Sequence, residues 1–173
     1  MSLSYPDESS AAVCDRPVHA LRTRRLRSAA LTALLVGLTA PLLSGCSGTV
    51  SMTAAPDADD PACAEITVRL PETLSELPKR KTNAQATGAW GDPAAVVLRC
   101  GVRVPEVSDS TCVTVGDIDW LVDDTDAPTY RFTTYGRTPA TEVLINSESA
   151  SGNAALAELA NIVARIPADK RCQ

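Results

Sequence analysis

Hydrophobic positions along the chain follow three rhythms: one unbroken run, two helical stripes and several alternating segments. The unbroken run, Ala29 to Leu43, carries no charge and follows Arg22, Arg24, Arg25 and Arg27. A basic stretch before a short apolar one predicts an export signal, and the run falls short of the roughly 20 residues that a spanning helix needs. The stripes lie at the two ends of the remaining chain. Asp60 and Pro61 predict a helix start, after which Cys63, Ile66 and Leu70 fall at i, i+3 and i+7 and so face a core. Leu70-Pro71 predicts the break of that helix, with a second short turn over "ETLSEL", residues 72–77, before an exposed "PKRK". A closing helix is predicted over "NAALAELANIVARIP", with Leu156, Leu159, Val163 and Ile166 in one stripe and Pro167 as its stop.

Between the stripes the period drops to two. "TNAQATGAW" and "AAVVLRC" predict strands on either side of Gly91-Asp92-Pro93, with Val96, Leu98 and Cys100 on one face and Arg99 on the other. In "TCVTVGDIDWLV" a two-residue Gly116-Asp117 turn pairs Val115 with Ile118 and Val113 with Trp120, and leaves Thr114 and Asp119 together on the opposite face. "TYRFTTY" and "TEVLIN" predict further strands. The expected fold is α+β: an antiparallel sheet of about five strands with N-terminal and C-terminal helices packed on it.

The unbroken run ends in "LSGC", residues 43–46, which resembles the lipobox of bacterial lipoproteins. In that pattern the cysteine thiol receives a diacylglyceryl group before the signal peptidase cuts in front of it. The resemblance implies cleavage between Gly45 and Cys46 and a lipid anchor on Cys46. "TRRLRSA" has paired arginines but puts Arg27 and Ser28 where a twin-arginine signal carries apolar residues, so general secretion is expected. Residues 1–45 are expected as the signal peptide, 46–60 as the lipidated cysteine and a flexible tether, and 61–173 as a single exported domain. The expected location is the cell membrane, lipid-anchored on its extracytoplasmic face.

Processing changes the composition that matters. Of 16 basic and 21 acidic residues, five and three precede Cys46, leaving 11 and 18 and a net charge of −7. An acidic domain is a poor partner for nucleic acid, because phosphate contacts need a basic face. His19, the one histidine, lies in the discarded segment, which removes His-based zinc sites and imidazole-dependent nucleophilic chemistry. No cofactor and no metal are expected. Cys14 is discarded as well, so the exported domain keeps Cys63, Cys100, Cys112 and Cys172. Four cysteines in an oxidising compartment predict two disulfides, and spacings of 37, 12 and 60 residues contain no metal-type pair. Sequence alone allows three connectivities.

"AWGDPAAVVLRCGV" at 89–102, the hairpin ending in "IDWL", and "RFTTYGRTPATEV" at 131–143 resemble the actinobacterial lipoproteins grouped as domain-of-unknown-function family 3515. The resemblance covers residues 61 to about 166, and its strongest motif is W-G-x-P followed by R-C-G, met at Trp90, Gly91, Pro93, Arg99, Cys100 and Gly101. Two cysteines typical of that family map onto Cys63 and Cys100. The resemblance thus implies bonds Cys63–Cys100 and Cys112–Cys172. It implies no activity.

Candidate chemistry is sparse. Asp117 with Asp119, and Asp123, Asp124 and Asp126, offer carboxylates for glycoside hydrolysis or calcium, yet "DDTDAP" lacks the glycine and distant glutamate of an EF-hand loop. "KTN" at 81–83 and "SGN" at 151–153 are in the wrong order for penicillin-binding motifs, and no S-x-x-K exists. No catalytic residue is assigned. Trp90, Arg99, Tyr135 and Arg137 form a candidate binding patch, since a planar cation near aromatics recognises sugars or proteins; packing of Trp90 over the sheet is the alternative. The expected role is a membrane-anchored, non-catalytic accessory or binding module whose partners are envelope proteins or wall glycans. The competing reading is a small carboxylate-dependent cell-envelope hydrolase.

Overall fold

Eight strands and two short helices make up the domain. The computed structural model describes residues 48–103 and 111–172, all within one compact unit. The expected signal peptide, the cleavage site at Gly45 and the lipidation site Cys46 lie outside the described residues. In chain order the elements are α1 (Pro61–Thr67), β1 (Thr73–Leu74), β2 (Leu77–Arg80), β3 (Thr87–Trp90), β4 (Val96–Val102), β5 (Thr111–Val115), β6 (Ile118–Asp123), β7 (Thr129–Thr134), β8 (Ala140–Asn146) and α2 (Gly152–Val163). They form one sheet in the order β1-β2-β3-β4-β8-β7-β6-β5, antiparallel at every step.

The expected fold is therefore corrected. Instead of about five strands with helices from both ends packed on them, the molecule is mostly an eight-stranded antiparallel sheet, and its helices are only 7 and 12 residues long. Much of the difference lies in "ETLSEL". Leu74 and Leu77 are three apart, a spacing that suits a helical turn and equally suits the facing positions of a two-residue hairpin. Ser75 and Glu76 take φ of 49° and 65°, the left-handed pair that a type I′ turn requires, and Leu74 pairs with Leu77 across it.

Other local readings hold. Asp60 caps α1 by accepting from the Ala62 N–H at 2.8 Å. In the β5–β6 hairpin Val115 faces Ile118, Val113 faces Trp120 and Thr114 faces Asp119. Gly116 and Asp117 both have positive φ, 58° and 64°.

Register sorts side chains onto two faces. The inner face carries Trp90, Val96, Leu98, Trp120, Val143 and Ile145, all at most 1 % exposed, and closes over Ile66 of α1 and Leu156 and Leu159 of α2. The Cys63–Cys100 disulfide, Cα atoms 5.5 Å apart and both residues fully buried, fastens α1 to β4 through this core.

Residues 48–60, expected as a flexible tether, instead lie along the domain from Gly48 onward. Val50 bridges Thr82 in parallel, Met52 N–H donates to Asn83 Oδ1 at 2.8 Å, and Asp57 N–H donates to the Gly101 carbonyl at 3.0 Å. Ala55 and Ala58 are buried. Gly101, at φ 96°, leaves room for this strap: a Cβ there would strike the backbone of Asp57 and Ala58.

Candidate functional site

Two polar assemblies occupy the outer face of the sheet. The first crosses β4, β8, β7 and β6. Arg99 lies opposite Glu142 and Arg131 opposite Asp123, because all four occupy positions of the parity not used by the core. Arg99 Nε and Nη2 donate to Glu142 Oε1 at 2.9 and 2.6 Å, while Arg131 Nε stands 3.4 Å from Glu142 Oε2. Arg131 also reaches Asp123 at 3.5 Å and Asp126 at 3.8 Å. Glu142 is buried, and a buried carboxylate is tolerated when cations and hydrogen bonds replace its water. The arginines themselves stay 31 % and 40 % exposed, so the ladder presents guanidinium edges to solvent.

The second assembly is a C-terminal clasp. Cys112 shares the outer face with Thr114, as alternation predicts, and bonds Cys172 with Cα atoms 6.4 Å apart. Asp119, buried beneath the tail, accepts from the Thr114 hydroxyl at 2.7 Å and from the Cys172 N–H at 3.0 Å. Arg171 lies 3.9 Å from Asp119 and donates to the Asp117 carbonyl, and Arg137 donates to the Ile166 carbonyl. Asp169 N–H donates to the Gly136 carbonyl at 2.7 Å. Both disulfides thus have the connectivity that the family resemblance implied.

Electrostatics follow from these contacts. Burial pushes the Asp119 carboxyl up, but the Thr114 and Cys172 hydrogen bonds with Arg171 and Arg137 outweigh it and hold the carboxyl below its ordinary 3.8. Asp123 is also lowered, by the Thr125 hydroxyl and N–H first and by Arg131 less. Arg137 is lowered by burial and by Arg171, with Asp119 opposing.

A folded pKa below the unfolded one stabilises the native state above the unfolded value, and that contribution is lost as pH falls through the folded value. Denaturant midpoints measured from pH 7 to pH 2 should therefore drop more steeply below pH 4 in the parent protein than in Asp119→Asn. Parallel curves for the two proteins would show that Asp119 plays no part in acid unfolding.

The proposed patch of Trp90, Arg99, Tyr135 and Arg137 does not assemble. Trp90 pairs with Val96, sits on the inner face with no exposure, and donates its indole N–H to the Pro71 carbonyl at 2.9 Å. Arg99 points to the opposite face, and Arg137 is buried under the tail. Tyr135 is partly exposed, its N–H held by the Asp119 carbonyl. Arg131 and Glu142 were missed. Their signal was parity: each directly precedes a core-facing position, Phe132 or Val143.

Among the acidic candidates, Asp117 is exposed at the hairpin tip, Asp119 is sealed under the tail, and Asp123 and Asp126 are bound to Arg131. No cluster of His, Cys, Asp or Glu among the described residues could hold a metal ion.

Fold and surface together define a disulfide-fastened antiparallel-sheet domain with a charged open face. Residues 29–171 match the sequence model of a family described as "Protein of unknown function (DUF3515)", and the chain belongs to that family. No curated protein and no solved structure matches the chain.

Proposed function

We propose that the protein is a membrane-anchored envelope lipoprotein whose domain acts as a non-catalytic accessory or binding module. The observation that carries the binding half is the Arg99–Glu142–Arg131–Asp123 ladder, a face with two partly exposed guanidiniums suited to carboxylates, hydroxyl-rich glycans or a partner's acidic side chains. The anchor half rests on the basic and apolar segment ending in Leu43-Ser44-Gly45-Cys46. No described helix is long and apolar enough to cross a membrane.

A carboxylate hydrolase receives less support. Its acid needs a pKa raised toward neutrality, whereas Asp119 and Asp123 are both held down and both already bound.

Fractionation of cells expressing Cys46→Ser tests the reading. The variant should be uncleaved or released, whereas the parent partitions with membranes and takes up labelled fatty acid, because two acyl chains suffice for stable attachment. Normal processing and unchanged membrane retention of Cys46→Ser would refute it.

A further inference from the structure

The strap that replaces the expected tether fixes how the domain meets its membrane. We propose that the edge formed by Gly48–Val50 and the end of β2 faces the lipid headgroups, so that the sheet stands edge-on against the bilayer instead of swinging above it. The inference rests on lipidation of Cys46, the anchor half of the function proposed above.

Beside β2 the sheet changes neighbours. β1 covers only Leu77 and Pro78, and Val50 takes up the edge further along, at Thr82. Val50 N–H donates to the Lys81 carbonyl at 2.8 Å, and Arg80 Nη2 donates to the Gly48 carbonyl at 2.7 Å. The backbone is thus pinned from Gly48 onward. Cys46 lies two residues earlier, and two residues of extended chain reach at most about 7 Å. Fourteen free residues would instead have spanned roughly 20 Å on average. Acyl chains on Cys46 therefore draw this edge, and no other, to the headgroup layer.

The charge of the edge fits that neighbour. Although residues 46–173 carry a net −7, Lys79, Arg80 and Lys81 are consecutive here. Glu72 engages Lys79 and Asp92 engages Arg80, while Lys81 is exposed and can meet lipid phosphates. The acidic β6–β7 turn, Asp123 to Asp126, lies four to five strand spacings from β2, about 19–24 Å along the sheet at about 4.8 Å per step. That exceeds the Debye length of about 8 Å at physiological salt, so its repulsion from anionic lipid is screened. With this orientation the charged ladder opens sideways, clear of both bilayer and helices.

The test uses protein purified from membranes after expression of the full chain, reconstituted in phosphatidylglycerol-containing nanodiscs with a gadolinium-chelate lipid. Mass analysis of the N-terminal peptide reports lipidation of Cys46 separately. Amide signals of Lys81, Asn83, Gly91 and Asp92 should be broadened several-fold more than those of Thr125 and Ala154. Val50→Pro removes the first backbone N–H that pins the strap, leaving Met52 as the next, and should narrow the difference in broadening while leaving the folded spectrum and the lipid in place. Even broadening in the lipidated parent would overturn the orientation alone. A lipid-free Cys46 would overturn the anchor and this inference together.

Discussion

Replacing Cys63 and Cys100 together with alanine is expected to cost about 4 kcal/mol of folding stability, the chain-entropy value for a bond across 37 residues. For a domain of this size the melting temperature should fall by about 10–25 °C. Such a loss is a large share of the roughly 5–15 kcal/mol that a domain holds in total. Both cysteines are fully buried, so the change also thins the packing between α1 and β4. Urea unfolding under non-reducing conditions measures it. A loss below about 1 kcal/mol would mean that the core holds α1 without the bond.

The second large effect is at Trp90. Trp90→Ala should destabilise by about 3–5 kcal/mol, because a fully buried indole on the inner face leaves a cavity that backbone cannot fill. Trp90→Phe keeps a ring there but deprives the Pro71 carbonyl of its donor, and should cost about 1–3 kcal/mol. Unfolding curves and near-ultraviolet circular dichroism check both variants. Were Trp90 a surface recognition residue, Trp90→Ala would melt like the parent.

Local chemistry was legible wherever a residue type constrains its own backbone. The Gly116-Asp117 turn set the register of β5 and β6, and that register put Cys112 on the face from which it meets Cys172. The cap at Asp60 delimits the start of α1 for the same reason, whereas the cap of α2, Ser151, was not read. What escaped depends on distant partners. Alanines at 55 and 58 carry no periodic signal, and their burial comes from docking near Gly101, more than forty residues away. The binding patch failed on parity: pairing Trp90 with Val96 commits it to the face of Leu98, while Arg99 points away. The Arg99–Glu142 contact needs β4 beside β8, a neighbour relation that skips three strands and leaves no trace in either segment.

The order of the bridges has a consequence for biogenesis. Among the four cysteines of the domain, the first bonds the second and the third bonds the fourth. On the export proposed above, the chain would emerge amino end first, so Cys100 would arrive while Cys63 is its one available partner in the domain. Cys112 would then wait for Cys172, 60 residues later. Oxidation in order of arrival would then yield the connectivity seen, first with second and third with fourth. The clasp over Asp119, which needs Cys172, would then close after the Cys63–Cys100 bond.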